Sequence, residues 1–226
     1  EQVFMTTKLD GEKTRFFFFI KSFENRNEPG NPYRTSYLWE DILTRDSLLD
    51  LIQNYINVQE IEQKKYDPRT RQLKIEKSEV LIFPRFHQRR AVRRLLDDTY
   101  LQGVGHRYLI EHSAGSGKSN TIAWLAFRLA SLHNGDNRTN AVFDSVLVVT
   151  DRRILDRQLQ RNLRQFAPDL GELECIDSRK GMTSQNLKLA IEQGKKVIVT
   201  TLQKFSVICD EIAHYPNRNY AIIIDE

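Results

Sequence analysis

Four short apolar runs that alternate with helical segments constrain the fold of this chain more than any other feature. The runs cover residues 108–111, 145–150, 196–200 and 220–224, and they are rich in Val, Ile and Leu without alternating polar residues. Such runs are typical of strands that are covered on both faces. Helices are predicted near 88–100, 118–133, 153–166, 184–193 and 202–212. Because helices separate the strands, the sequence predicts an α/β domain, doubly wound around a parallel sheet.

The first 80 residues have a different pattern and predict a small mixed α/β linker module, residues 1–80. Apolar residues recur there at helical spacing, at Leu48, Leu51, Ile52, Tyr55 and Ile56. Asp46 is placed to cap the start of that helix. The charged stretch 60–77 is predicted to link this module to the α/β domain of residues 81–226.

Charge and cysteine content set broad limits on partners and compartment. The 34 basic and 30 acidic residues give a net charge of +4, which permits a nucleic-acid partner without requiring one. The two cysteines form neither a disulfide framework nor a metal-ligand cluster, which suits a reducing compartment. We therefore expect a cytoplasmic location.

A glycine-rich string lies between a predicted strand and a predicted helix, the context that indicates a phosphate-binding loop. Its residues are His112, Ser113, Ala114, Gly115, Ser116, Gly117, Lys118 and Ser119. The two glycines let backbone amides approach phosphates, and Lys118 can reach the β- and γ-phosphates. Ser119 can ligate Mg²⁺, so ATP and Mg²⁺ are the expected cofactors. The alternative is a glycine-rich turn that carries an exposed lysine.

The run 221–224 ends in Asp225 and Glu226. At the carboxyl end of a parallel strand, Asp225 would hold Mg²⁺ through water. Glu226 would polarise the water that attacks the γ-phosphate. An acidic turn that merely ends the strand is the alternative reading of the same residues.

Gln88 stands at the start of the helix predicted near 88–100. Its amide offers one donor and one acceptor group, which match the edge of adenine. The alternative is a solvated glutamine at a helix start.

Taken together, these motifs resemble those of superfamily 2 helicase-like ATPases, and within them the motor (R) subunit of type I restriction enzymes. The matching strings are residues 83–88, 111–121, 148–153, 199–205 and 224–226. His112 stands where the usual loop has its first glycine, and such R subunits share this histidine. Residues 30–32, 35–40 and 45–50 also look like the segment that joins nuclease and motor domains in those subunits.

The resemblance implies a RecA-like P-loop NTPase domain with Lys118 and Glu226 as catalytic residues. It implies a double-stranded DNA translocase and endonuclease whose partners are double-stranded DNA and the methyltransferase and specificity subunits. The positions implied to hold the DNA backbone are Thr150, Asp151, Arg152, Arg153, Thr200 and Thr201. For Asp151, Thr200 or Thr201 taken singly, capping of a helix is as open a role as contact with DNA.

The resemblance also implies that the chain is a fragment that stops within its first motor domain. The nuclease residues, the second motor domain and its arginine finger are expected outside this sequence, so the chain alone is expected to be inactive. The string 62–64, Glu-Gln-Lys, is expected to be a solvated run rather than part of a nuclease site. Two other functions stay open: a helicase-like ATPase in DNA repair or on RNA, and an ATP-binding switch without turnover.

We expect the intact motor to prefer ATP over GTP. Gln88 can satisfy the donor and the acceptor of the adenine edge, whereas guanine presents the reverse pattern. Binding constants for the two nucleotides, measured side by side on the full-length protein, test this. Equal affinity for ATP and GTP would contradict it.

Overall fold

The computed structural model describes residues 4–6, 8–9, 14, 17–18, 35–67, 72–134, 140–151, 153–166, 173–175, 184–203, 209, 213 and 215–225. The chain divides into two compact units, residues 1–89 and 90–226. Each unit is described by itself, and helix α2 (Phe86–Gln102) contains residues of both.

The first unit contains short strands, two helical segments and a long hairpin. Its elements are β1 (Phe4–Met5), β2 (Lys8–Leu9), β3 (Phe17–Phe18), a π-helix (Leu38–Ile42), α1 (Arg45–Asn54), β4 (Asn57–Asp67) and β5 (Gln72–Ile82). Strands β2, β5 and β4 form one antiparallel sheet in that order, and β1 pairs with β3. The unit therefore has the mixed α/β character that the sequence predicts.

The charged stretch 60–77 is a β-hairpin and not a linker, so that prediction was wrong. Strands β4 and β5 pair along their whole length, from Asn57 opposite Ile82 to Asp67 opposite Gln72. Opposite charges meet diagonally across the hairpin: Lys77 lies 2.7 Å from Glu60, and Lys65 lies 3.3 Å from Glu76. Of the predicted turn at residues 66–68, Tyr66 and Asp67 belong to β4, and Pro68 lies outside the described residues. Favourable cross-strand pairs explain how a charged sequence with little buried surface forms strands here.

Helix α1 confirms the predicted amphipathic helix, but its start differs from the prediction. Leu51 and Tyr55 are buried, whereas Ile52 is exposed. The N-cap residue is Thr44, and Asp46 lies in the first turn of the helix. An acidic side chain in that turn favours the helix through its dipole rather than as a cap.

The second unit contains a parallel sheet and the helices that alternate with its strands. Its elements after α2 are α3 (Lys118–Ala130), β6 (His133–Asn134), β7 (Asn140–Ala141), β8 (Ser145–Thr150), α4 (Arg153–Phe166), β9 (Leu173–Cys175), α5 (Ser184–Glu192), β10 (Val197–Thr201) and β11 (Tyr220–Asp225). Most of the helix predicted at 202–212 lies outside the described residues.

The sheet has the order β11-β8-β10-β9, and all its strand pairs are parallel. Every residue of β8 and β10 is buried, which explains their continuous apolar sequence. Helix α3 contacts β8, β10 and β11, and α4 contacts α3, β8 and β10. These contacts bury Trp124 of α3, whose ring meets Phe166 edge-on with centroids 5.6 Å apart. The described residues thus show one parallel sheet with its helices, which is part of a RecA-like fold.

The strand predicted at residues 108–111 does not form. Residues 106–113 have no regular secondary structure, and Leu109 is 94% exposed. A strand requires hydrogen bonds to a neighbour, and in the described part of the chain residues 108–111 pair with no strand, although β11 is at the edge of the sheet. An apolar run alone does not show whether it will pair.

No helix among the described residues is both long and apolar enough to span a membrane.

Leu147 tests how strongly the sheet core holds the second unit together. It is fully buried on β8 and packs with Ala190, Ile191 and Ile198. Leu147→Ala should lower the free energy of unfolding by about 2–5 kcal/mol, because it leaves a cavity among rigid neighbours. Chemical denaturation measures this loss.

The matched control for Leu147→Ala is Ile222→Ala. Ile222 is the register partner of Leu147 on β11, but its side chain is 47% exposed. Its truncation should cost at most about 1 kcal/mol. Equal losses for the two variants would show that β8 is not the core of the sheet.

Candidate functional site: a phosphate-binding loop beside an acidic strand end

The glycine-rich string forms a turn that leads directly into α3. The chain turns at residues 114–115, and α3 begins at Lys118, as the sequence predicts. Gly115 has a φ of 74°, and Gly117, the N-cap residue of α3, has a φ of 88°. Residues with a Cβ rarely adopt such positive φ values. The backbone of this turn therefore favours glycine at these two positions.

Backbone hydrogen bonds close the turn on its inner side. The amide N–H of Ser116 donates to the Ser113 carbonyl (3.2 Å), and the amide N–H of Asn120 donates to the Gly117 carbonyl (3.1 Å). A Cβ added to Gly115 would meet no heavy atom within 4 Å, so the space beside this glycine is open. The turn directly precedes the N-terminus of α3, where backbone N–H groups and the helix dipole favour an anion. The turn therefore fits a phosphate group.

Lys118 and Asp225 interact although they lie on separate elements. Lys118 is exposed at the first position of α3, and Asp225 is half-buried at the last position of β11. Burial raises the pKa of the Asp225 carboxyl above its ordinary value, and the positive charge of Lys118 opposes this increase. The fold thus places an ammonium group and a carboxylate at the same loop.

Asp225 shares one row of the parallel sheet with two threonines. It pairs with Thr150 of β8, and Thr150 pairs with Thr201 of β10. Residues that pair in register point to the same face of a sheet, so these three polar side chains share one face. They lie at the carboxyl ends of their strands, the edge at which open α/β sheets bind ligands.

The predicted Mg²⁺ ligands, Ser119 and Asp225, have the chemistry that this ion requires. Ser119 follows Lys118 in the first turn of α3, and its side chain is half-buried. Mg²⁺ prefers oxygen ligands, keeps several waters and is usually shared between one or two carboxylates and substrate phosphates. Among the described residues no group of three or more His, Cys, Asp or Glu side chains could hold a metal ion. The hydroxyl and carboxylate therefore fit an Mg²⁺ ion that a nucleotide shares.

The remaining predicted ATP-binding side chains differ in exposure. Ser113 and Ala114 are exposed, His112 is half-buried and Ser116 is buried. Their contacts with nucleotide stay predictions. Glu226, the predicted catalytic carboxylate, lies outside the described residues.

The threonines predicted to hold DNA are buried within the sheet. Thr150, Thr200 and Thr201 are at most 4% exposed, whereas Asp151 is exposed. Of the two predicted arginines, Arg153 is the first residue of α4, and Arg152 lies outside the described residues. DNA contact by this segment stays a prediction.

Gln88 belongs to the first unit and is buried there, not solvated. Its side-chain Oε1 accepts a hydrogen bond from the Arg85 amide N–H (2.8 Å) just before α2. A glutamine in the first turn that reaches back to the residue before the helix forms half of a capping box. The amide therefore has a structural contact, and its predicted role in binding adenine is untested.

Sequence reasoning missed a polar contact that links the loop helix to α4. The Asn162 side-chain amide donates to the Asn120 side-chain carbonyl (3.3 Å), and Asn120 directly follows Ser119. The contact joins helices that are distant in sequence, and no local pattern marks either asparagine as its partner. The contact therefore links α3 to α4, the helix that follows β8.

A phosphate-binding loop, a lysine and an aspartate at the end of a parallel strand define a P-loop ATPase of the helicase-like class. The family model of the SWI2/SNF2 ATPases matches residues 87–226. The chain therefore belongs to the SWI2/SNF2 ATPase family. Comparisons with curated proteins and with solved structures found no match.

Replacement of Asp225 tests the electrostatics of the site. Because its pKa is raised in the folded chain, its contribution to stability is fully present below the unfolded pKa of about 3.9. That contribution is lost as the pH rises through the higher folded pKa. At pH 7 the partly desolvated carboxylate therefore costs stability. Asp225→Asn should melt at the same or a higher temperature than the wild type at pH 7 and lose ATP hydrolysis.

Thermal unfolding between about pH 3.5 and pH 7 measures the stability effect of Asp225→Asn. The control is Asp97→Asn, because Asp97 is an exposed carboxylate on α2. That control should keep the pH dependence of the wild type. A clear loss of stability in Asp225→Asn at pH 7 would contradict the assigned electrostatics.

Proposed function

We propose that this chain carries the ATP-hydrolysing part of a double-stranded DNA translocase, the motor subunit of a type I restriction system. The observation that carries the proposal is the meeting of Lys118 with Asp225 at the phosphate-binding loop. A phosphate-binding turn needs only glycines and a helix N-terminus. The additional lysine and carboxylate are the groups that ATP hydrolysis requires.

In this mechanism each residue of the loop has a separate electrostatic task. The turn at Gly115 and Gly117 offers backbone N–H groups to the phosphates, and Lys118 neutralises charge on the β- and γ-phosphates. Ser119 and Asp225 would hold Mg²⁺, Asp225 through a water. The ion would supply positive charge that offsets the negative charge building up during phosphoryl transfer. Glu226 orients the attacking water.

Movement along DNA requires more than this site. ATP hydrolysis can drive translocation when two domains close and open around the nucleotide, and an arginine from the facing domain accelerates phosphoryl transfer. Such a facing domain is part of the proposed motor. Contact of the DNA backbone with the predicted arginines Arg152 and Arg153 would couple the two activities.

The restriction role is supported by the motif strings and by the histidine at position 112 of the loop. Under this proposal the methyltransferase and specificity subunits select the DNA, a nuclease domain cuts it, and the complex works in the cytoplasm. The family match supports the ATPase alone. An ATPase motor on DNA outside a restriction system is therefore the second candidate function.

DNA substrates separate these candidates. The full-length protein, assembled with its methyltransferase and specificity subunits, should hydrolyse ATP faster with unmodified double-stranded DNA than with single-stranded DNA or RNA. It should also cleave plasmid DNA in an ATP-dependent manner. DNA-stimulated ATPase without cleavage would favour the second candidate, and stimulation by RNA alone would contradict the proposal.

Lys118→Ala should reduce ATP turnover by roughly 100-fold or more while the protein stays folded. The side chain is exposed, so its loss removes the charge proposed to stabilise the phosphates and leaves no cavity. The matched control is Lys188→Ala, because Lys188 is an exposed lysine on α5. Steady-state ATPase and a melting curve of both variants measure the effect. Wild-type turnover in Lys118→Ala would exclude the assigned role.

A further inference from the structure

Thr150 has a buried hydroxyl that the fold does not use. Its side chain is 1% exposed, and its Oγ1 has no hydrogen-bond partner among the described residues. Buried polar groups are nearly always hydrogen-bonded, so each exception calls for an explanation. Burial also argues against the DNA contact that the sequence predicts at this position.

The register of the sheet places this hydroxyl beside the acidic end of β11. Thr150 is the partner of Asp225, and neighbouring strands lie about 4.8 Å apart. At that spacing a threonine hydroxyl on the same face can reach a carboxylate oxygen after rotation of one side chain. Thr150 and Asp225 therefore need no backbone movement to form a hydrogen bond.

Thr200 shows that a buried threonine hydroxyl does not by itself lie beside a carboxylate. Its hydroxyl is also buried without a hydrogen-bond partner in the described structure. Thr200 pairs with Val149, which in turn pairs with Ile224, so its row of the sheet is otherwise apolar. Of these two threonines, only Thr150 has a charged neighbour in its row.

The charge balance around Asp225 should change when a nucleotide binds. In the structure Lys118 supplies the positive charge that acts on the Asp225 carboxylate. A triphosphate in the loop would attract the Lys118 ammonium group, because three phosphates carry more negative charge than one carboxylate. Asp225 would then need another donor to keep one carboxylate oxygen satisfied and oriented.

We propose that Thr150 is a positioning residue for Asp225, and that its hydroxyl donates a hydrogen bond to that carboxylate when Lys118 engages the phosphates. One carboxylate oxygen is thereby held by Thr150, and the other is directed toward Mg²⁺ or a water bound to it. Partners of this kind orient a metal ligand, and their loss typically lowers metal affinity or activity by 10–100-fold. The inference rests on the proposed ATP hydrolysis.

The test compares variants of the full-length protein that differ in a single hydroxyl. Thr150→Val keeps the shape of the side chain and removes the hydroxyl, whereas Thr150→Ser keeps the hydroxyl. The control, Ser145→Ala, removes a buried hydroxyl from the opposite end of the same strand, where it donates to the Lys195 carbonyl (2.7 Å). Three quantities are measured for each variant: the Mg²⁺ concentration that gives half-maximal ATPase, the Mg²⁺ dependence of nucleotide binding, and the melting temperature without nucleotide.

Thr150→Val should require about 10-fold more Mg²⁺ for half-maximal ATPase and for nucleotide binding. Without nucleotide it should melt at or above the wild-type temperature, because an unpartnered buried hydroxyl is lost. Thr150→Ser should retain the Mg²⁺ dependence of the wild type. Ser145→Ala should lower the melting temperature and leave the Mg²⁺ dependence unchanged.

Three results would overturn the inference: a wild-type Mg²⁺ dependence in Thr150→Val, equal defects in Thr150→Val and Thr150→Ser, or an effect of Thr150→Val on DNA affinity alone. The last result would favour the DNA contact predicted from the sequence. Failure of the wild type to hydrolyse ATP with Mg²⁺ would instead contradict the proposed function.

Discussion

The candidate site depends on one constraint: β8 pairs in parallel with β10 on one side and with β11 on the other. It aligns Asp225, Thr150 and Thr201 in a single row at the carboxyl end of the sheet. Helix α3 packs against these same three strands and carries the phosphate-binding loop at its N-terminus. The distance between loop and carboxylate is therefore set by the buried sheet and not by the loop itself.

This arrangement places a carboxylate where the sheet alone would not favour one. Desolvation disfavours the charged form of Asp225, and the nearby Lys118 only partly offsets that effect. Active sites commonly combine such opposing influences, because a group that is poorly satisfied in the free protein can interact strongly with a ligand. The Thr150 hydroxyl belongs to the same pattern, since it is buried without a hydrogen-bond partner among the residues that the structure describes.

Local sequence patterns predicted much of the second unit. Strand β8 begins and ends as predicted, and α4 spans the predicted residues 153–166. Continuous apolar runs identify buried parallel strands, because both faces of such strands are covered and favour apolar residues. The glycine spacing likewise predicted the loop, since positive φ values at Gly115 and Gly117 are a local property of the turn.

The failures arose where structure depends on distant partners. The run at 108–111 has strand-like residues without a paired neighbour, and the charged stretch 60–77 becomes a hairpin through cross-strand pairs. Burial of Thr150, Thr200 and Thr201 follows from the helices that cover the sheet, which the local sequence does not show. The DNA contact that the resemblance implies for them stays a prediction. The hydrogen bond that Gln88 accepts at the start of α2 is local. A glutamine at a helix start fits adenine binding equally well, so the sequence could not distinguish the two roles.

A double-mutant cycle between Lys118 and Asp225 tests the central claim that these two residues form one ATP-hydrolysing site. The measured quantity is kcat/KM for ATP in the wild-type full-length protein, Lys118→Ala, Asp225→Ala and the double variant. Residues that act as a unit are strongly non-additive, so the double variant should lose little more activity than the worse single variant. Losses that multiply would show that the two residues act independently and would contradict this account of the site.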